Sequence, residues 1–159
     1  MKRRVTLEKG IPVLGVFRSF VAVGVDPVVM GIGPAVAIPK AVEAAALELN
    51  DVDLFEINEA FALQFAYLAK KLELDEEKIN VNGGVIALAH PLGATGALCT
   101  ATLLHEMKWH GKDCHFGVVS MCIGSGMEAA AVFELGSVVD TLNNASPIAA
   151  NNFLSKDAK

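Results

Sequence analysis

The chain of 159 residues has no excess of positive charge, few cysteines and no long uninterrupted hydrophobic run. Its net charge of −5 argues against a nucleic-acid-binding domain, because such domains carry a basic face. Three cysteines are an odd number, which favours a reduced compartment over a disulfide framework. Charge, proline or glycine interrupts every apolar stretch of about 18 residues, so we expect no membrane span.

Two kinds of targeting signal are also missing from the sequence. Segment 1–10 has basic residues but no apolar core of the kind that secretory signals contain. The last five residues, SKDAK, do not form a peroxisomal address of the SKL type. We therefore expect neither a secretory signal nor an SKL-type signal in these residues.

Apolar residues are abundant, at 53% of the chain. A domain of this length can remove about 70% of its unfolded surface from water. So rich a composition indicates either a sheet covered on both faces or an apolar surface that a partner covers. From Gly136 onward the hydrophobic pattern fades. We therefore predict one domain over 1–136 and a polar tail over 137–159.

Strand and helix patterns alternate along most of the chain. Strands are predicted over 12–25, 53–58, 79–84, 114–122 and 128–135, and helices over 35–50, 59–74 and 94–110. Alternation of this kind predicts an α/β fold in α-β-α layers, with a mixed, mostly parallel sheet.

Two motif-like segments do not support a site. Gly31 and Gly33 begin a dinucleotide-like pattern, but Val36 stands where the third glycine should be, so a turn before a helix is favoured. His105 and His110 in HEMKWH are five positions apart, which separates them by about 140° around a helix. They cannot share a metal from one face, and we predict no metal site.

Three short segments place a polar side chain at the end of a predicted strand, where open α/β sheets bind ligands. They carry Asn58 in NEAF, His90 in AHPLGATG and Cys122 in CIGSG. Taken singly, Asn58 could be a helix N-cap, His90 a core histidine and Cys122 a core thiol. Together they suit acyl or carbanion chemistry at a thioester. A thiol needs a base or a positive field to ionise, and backbone N–H groups stabilise an oxyanion.

These segments resemble the thiolases, the 3-ketoacyl-CoA thiolase family, and are most similar to the plant peroxisomal type. The matching stretches are GVDPVVMGIGP (24–34), NEAFA (58–62), NVNGG followed by AHPLGATGA (80–97), and CIGSGMEAAAVFE (122–134). The resemblance covers the C-terminal half of a two-half αβαβα family fold that forms dimers. It also implies that the first strand of this half is missing here.

The resemblance implies a role for each matching residue. His90 corresponds to the base that activates a nucleophilic cysteine and helps to bind the thioester oxygen. Asn58 corresponds to the residue that holds a water in the same oxyanion hole. Cys122 corresponds to the general acid/base at the substrate α-carbon or the CoA thiol, and Gly124 to a backbone donor of a second oxyanion hole.

The family's reaction cleaves a 3-ketoacyl-CoA with coenzyme A, giving acetyl-CoA and a shortened acyl-CoA, in fatty-acid β-oxidation. Coenzyme A is a substrate, and no cofactor is expected. Met30 and Phe61 resemble residues that line the acyl or pantetheine channel. The implied partners are a thiolase N-terminal half or a full-length thiolase subunit, within a homodimer. The implied compartment is the peroxisome, with the cytoplasm as the alternative.

Two departures and one absence qualify the resemblance. Ala89 stands where the family has glycine, and Leu98 where it has arginine. If position 89 needs a positive φ, alanine strains the loop by about 1 kcal/mol or more. The nucleophilic cysteine belongs to the family's N-terminal half, and neither Cys99 nor Cys114 matches its motif. We therefore expect this chain to be inactive alone. The alternatives are an interaction module that pairs with a thiolase subunit, or an acyltransferase with Cys122 as nucleophile.

Overall fold

The computed structural model describes residues 1–136, so the tail predicted over 137–159 lies outside the described residues. The elements in chain order are α1 (Arg3–Glu8), β1 (Gly15–Gly24), α2 (Gly33–Ala44), β2 (Leu54–Ile57), α3 (Ala62–Leu72), α4 (Val85–Leu88), α5 (Thr95–His110), β3 (Phe116–Gly124) and β4 (Met127–Leu135). Short 3₁₀ turns precede several of them, including Pro27–Ile32 before α2 and Leu92–Ala94 before α5.

The four strands form one mixed sheet in the order β1-β4-β3-β2. The predicted mixed character is confirmed, but the expectation of a mostly parallel sheet is wrong. Among the strands of residues 1–136, only β2 and β3 pair in parallel, whereas β4 is antiparallel to both β3 and β1. The reason is the tight turn at Ser125 and Gly126, where both φ angles are positive, which folds β4 directly back onto β3.

The strand predicted over 79–84 is also wrong. Ile79 makes a single parallel bridge to Phe55, and the chain then turns through positive φ angles at Asn80 and Gly83. β1 and β2 are consequently the edge strands of the four-stranded sheet. The implied absence of a further strand stays a prediction.

Helix ends differ from the predicted ones for local backbone reasons. α2 ends at Ala44 rather than near position 50, because Ala46 takes a positive φ of 58° that a right-handed helix cannot continue through. α3 likewise ends at Leu72, before Glu73 with its φ of 53°. The short helices α1 and α4 were not predicted, since too few residues form them to show a periodic pattern.

Each face of the sheet has its own apolar core, which confirms the α-β-α layering. On one face α2 and α3 pack on the sheet, and the Ser19 hydroxyl donates to the Ala41 carbonyl at 2.6 Å. On the other face α5 packs mainly on β2 and β3 through Leu103 and Met107, both fully buried. α5 leaves Phe17 and Phe20 of β1 58% and 57% exposed.

The segment Pro27–Ala44 is long and apolar enough, by length and composition alone, to cross a membrane. Core helices of soluble proteins pass the same test. Here Ala37, Ile38 and Ala41 of α2 are completely buried within the first core. This packing accounts for the apolar character of these α2 positions, and the expected lack of a membrane span stays a prediction.

Candidate functional site

Asn58 and Cys122 lie at the same edge of the sheet, because β2 and β3 are parallel neighbours. Ile57 pairs with Ser120, the Asn58 N–H donates to the Ser120 carbonyl at 2.9 Å, and Cys122 follows two residues later. Asn58 does not cap α3, since that helix begins at Ala62 without a side-chain cap. The N-cap alternative for Asn58 is therefore wrong.

The Asn58 side chain is almost completely buried, at 2% exposure. Its Oδ1 atom has no hydrogen-bond partner within residues 1–136. Buried amide oxygens in proteins nearly always accept a hydrogen bond. Asn58 Oδ1 is therefore an acceptor whose hydrogen-bonding capacity the described residues do not use.

His90 lies in the exposed segment between α4 and α5, so it is not a core histidine. Its Nδ1 is 2.7 Å from the hydroxyl oxygen of Thr95, a buried residue that begins α5. When Nδ1–H donates to that oxygen, Nε2 keeps its lone pair and can act as a base. Ala89, just before His90, has φ 95° and ψ 159°, so the condition under which alanine strains this loop is met.

A hydrogen-bonded bracket ties the segment that carries His90 to the end of β2. The Asn80 side chain accepts from the Ile57 N–H at 2.8 Å and donates to the Ile57 carbonyl at 3.0 Å and to the Glu59 carboxylate at 2.9 Å. Glu59 in turn accepts from the Ile86 N–H at 3.0 Å. A Cβ at Gly84 would stand 2.3 Å from the Glu59 carboxyl carbon, so this approach requires glycine.

The start of α5 also brings this segment close to β3. A Cβ on Gly96 would be 3.2 Å from the sulfur of Met121, which directly precedes Cys122. Asn58, His90 and Cys122 thus belong to three segments that contact one another at one sheet edge. Gly124, with a φ of 125°, ends β3 at the same edge.

The three cysteines differ in their surroundings. Cys99 and Cys114 are buried, whereas Cys122 is half-buried. Burial, and then the Glu56 carboxylate, raises the pKa of the Cys99 thiol to about 11. Burial, followed by Asp53 and Glu106, raises the pKa of Cys114 to about 12. Neither thiol is prepared for nucleophilic chemistry, since only a thiolate attacks.

The remaining predicted site residues lie on neighbouring segments. Met30 is half-buried in the 3₁₀ turn before α2, and that turn contacts α3. Phe61 immediately precedes α3 and is 53% exposed. Their assignment to an acyl or pantetheine channel stays a prediction.

Two buried acids were not identified from the sequence. Burial, with smaller contributions from Glu106 and Glu59, raises the pKa of Glu56 to about 7. Burial raises the pKa of Glu128 to about 8, although a hydrogen bond from Ser120 lowers it somewhat. Within residues 1–136 no group of three or more metal-ligating side chains is arranged to hold a metal ion.

Comparison with known proteins identifies relatives of this chain. Residues 11–135 match the family model described as Thiolase, C-terminal domain. The peroxisomal 3-ketoacyl CoA thiolase 1 of Petunia hybrida is 72% identical over 159 residues, which is 100% of this chain and 34% of the relative. The chain therefore spans about a third of the length of the curated relatives it matches.

Two solved structures are similar in fold. The Bacillus anthracis acetyl-CoA acetyltransferase superposes with a TM-score of 0.81 at 45% identity, over 85% of this chain and 34% of that one. The dimeric peroxisomal thiolase of Saccharomyces cerevisiae superposes with a TM-score of 0.78 at 54% identity, over 84% of this chain and 33% of that one.

Proposed function

Because the chain belongs to the thiolase family, as a C-terminal domain of it, we propose that it supplies the C-terminal half of a 3-ketoacyl-CoA thiolase site. The observation that carries the proposal is the meeting of Asn58 and Cys122 at the ends of two parallel strands. The segment that carries His90 is tied to the same edge through Asn80 and Glu59.

In the proposed reaction His90 acts at Nε2 while Thr95 holds its Nδ1. It takes the proton of a nucleophilic cysteine that the other half of the enzyme supplies, and it later donates to the thioester oxygen. Asn58 holds a water against that oxygen through its buried Oδ1. Cys122 moves the proton at the substrate α-carbon or the CoA thiol, and the Gly124 N–H stabilises the enolate oxygen.

The substrates in this proposal are a 3-ketoacyl-CoA and coenzyme A, with no resident cofactor. The partner is a thiolase N-terminal half within a homodimer. The dimeric yeast relative supports the homodimer, and the peroxisomal names of the relatives support a peroxisomal location. The 159 residues alone are not expected to turn over, since Cys99 and Cys114 are buried and match no nucleophile motif.

A hybrid enzyme tests the proposal. In it, this chain replaces the matching C-terminal third of the petunia relative. We expect it to cleave acetoacetyl-CoA with CoA, measured as loss of the enolate absorbance. His90→Ala and Cys122→Ala should each lower kcat by about 10² to 10⁴. Cys114→Ala is the matched control and should retain activity. The free 159-residue chain should show no cleavage of acetoacetyl-CoA. An inactive but folded hybrid, or full activity in His90→Ala, would overturn the proposal.

The second candidate is a non-catalytic module that pairs with a full-length thiolase subunit. The exposed Phe17 and Phe20 on the edge strand β1 favour it, since an apolar patch of this kind often marks an interface. Size-exclusion chromatography with and without the petunia enzyme tests whether the chain is such a pairing module. A chain that stays monomeric in the presence of the petunia enzyme contradicts pairing.

The third option is an acyltransferase with Cys122 as nucleophile. Mapping which cysteine an acyl-CoA labels tests it, because an unlabelled Cys122 excludes this residue as the nucleophile.

A further inference from the structure

Glu128 is a buried acid for which the proposed reaction has no use. It is 1% exposed, it lies near the start of β4, and its register partner on β3 is Cys122. Side chains that are directly opposite in an antiparallel pair project from the same face, with Cβ atoms about 5 Å apart. The Glu128 and Cys122 side chains therefore leave the sheet side by side on the same face.

The contacts of the carboxyl hold it in this place. Oε1 accepts from the Ser120 hydroxyl at 3.3 Å, and that hydroxyl also lies 3.2 Å from the Ala129 carbonyl. Oε2 is buried without a hydrogen-bond partner in the described part of the chain. A Cβ on Gly33 would stand 2.9 Å from Oε2, so glycine at the start of α2 leaves the space that the carboxyl occupies.

Within residues 1–136, the elements packed against Glu128 place no positive side chain beside it. The ionisable side chains of the three elements packed against it are Arg18 on β1, Lys40 and Glu43 on α2, and Cys122 on β3. Arg18 pairs with Glu134 at the other end of the sheet, and Lys40 and Glu43 are exposed. In the adjoining loop, Asp26 is exposed and accepts from the Val28 N–H. The thiol of Cys122 is thus the ionisable group placed opposite Glu128.

We propose that Glu128 is a positioning residue that sets the protonation of Cys122 in the thiolase reaction. While the carboxyl is neutral, Cys122 can pass between thiol and thiolate without facing a second negative charge. Once Glu128 ionises, like-charge repulsion holds the thiol in its protonated form. Burial raises the pKa of Glu128 to about 8, so the neutral form predominates at pH 7. The proposal rests on the role given to Cys122 above, but the coupling itself exists in the free chain.

The test measures the pH dependence of Cys122 alkylation by iodoacetamide in the full 159-residue chain, with the modified cysteine identified by mass spectrometry. In Glu128→Gln the apparent pKa of the thiol should fall by about one unit, because the negative charge of the cross-strand neighbour is removed. Glu134→Gln is the matched control. It removes the same charge from the same face of β4, six residues and about 20 Å away, and should leave the pKa unchanged.

An unchanged Cys122 pKa in a folded Glu128→Gln chain would overturn the proposal, as would an equal shift in Glu134→Gln. If Glu128→Gln does not fold, carbon NMR of the Glu128 carboxyl gives a second test. The wild-type carboxyl should show an extra inflection at the thiol pKa, and Cys122→Ser should remove it. If the titration curve of the Glu128 carboxyl has the same shape in the wild type and in Cys122→Ser, the two groups are not coupled. These readouts need no turnover. If the hybrid enzyme is inactive but the titrations of Glu128 and Cys122 are coupled, the proposed function is refuted and the proposal for Glu128 stands.

Discussion

Replacing Ala89 by glycine should stabilise the protein. With φ 95° and ψ 159°, Ala89 occupies a backbone region that is essentially restricted to glycine, at a cost of about 1 to 3 kcal/mol. Glycine relieves this strain but makes the unfolded chain more flexible, which costs about 0.4 to 1 kcal/mol. The side chain is exposed, and the Ala89 N–H keeps its bond to the Val85 carbonyl. The net gain is therefore about 1 kcal/mol, or about 3 °C in Tm for a chain of this length.

Thermal and urea unfolding followed by circular dichroism measure this gain. Ala97→Gly is the matched control, because Ala97 is also exposed but lies inside the helix α5. There the same substitution should cost about 1 kcal/mol. The two variants should thus differ in sign. If Ala89→Gly lowers the unfolding midpoint as Ala97→Gly does, the backbone at position 89 is not strained and the reasoning is wrong.

Three further predictions concern the polar groups of the site. Glu128 has a folded pKa of about 8 against an ordinary 4.5, so unfolding releases its proton and stability should fall as the pH rises from 4.5 to 8, by about 3 kcal/mol at pH 7. Glu128→Gln should remove this contribution in pH-dependent urea unfolding and leave the slope that Glu56, with its pKa of about 7, contributes; an unchanged wild-type slope in the variant would contradict it. Asn80→Ala breaks both hydrogen bonds to Ile57 and should lower the free energy of unfolding by about 3 kcal/mol, measured by urea unfolding. A loss below about 1 kcal/mol would show that the bracket does not stabilise the fold. Leu98→Arg should lower the pKa of Glu56, seen by carbon NMR, since both residues line one small cavity; an unchanged pKa refutes their proximity.

Most strands were predictable because β-branched residues and turn residues mark them locally, but strand direction was predicted from alternation alone. The turn in CIGSG was visible in the sequence, and two strands joined by a two-residue turn must be antiparallel. That signal was available and outweighs the alternation rule for β3 and β4. The position of β4 between β3 and β1 is different, since it depends on contacts between segments more than 100 residues apart.

The position of the candidate site residues was predictable where a residue type and a strand end coincide, as at Asn58 and Cys122, while their roles stay a prediction. The bracket of Asn80 and Glu59 was not, because its bonds span 21 to 27 positions along the chain and leave no periodic pattern. The buried acids were missed for a related reason. Glu128 follows the same strand pattern as the exposed polar residues of other strands, and only the packing of α2 over it shows that it faces the core.

The two departures from the family pattern have different physical consequences at the segment that carries His90. Ala89 strains the backbone directly before the imidazole, so its effect is steric and local. Leu98 places an apolar side chain in the cavity that Glu56 lines, and the charges acting on Glu56 there are the negative groups Glu106 and Glu59. That effect is electrostatic and reaches β2. Because Glu59 also holds the loop through the Ile86 N–H, a charge change at Glu56 is felt by a group that positions His90. Glycine at 89 should therefore act on stability alone, whereas arginine at 98 should also alter the pH dependence of the site.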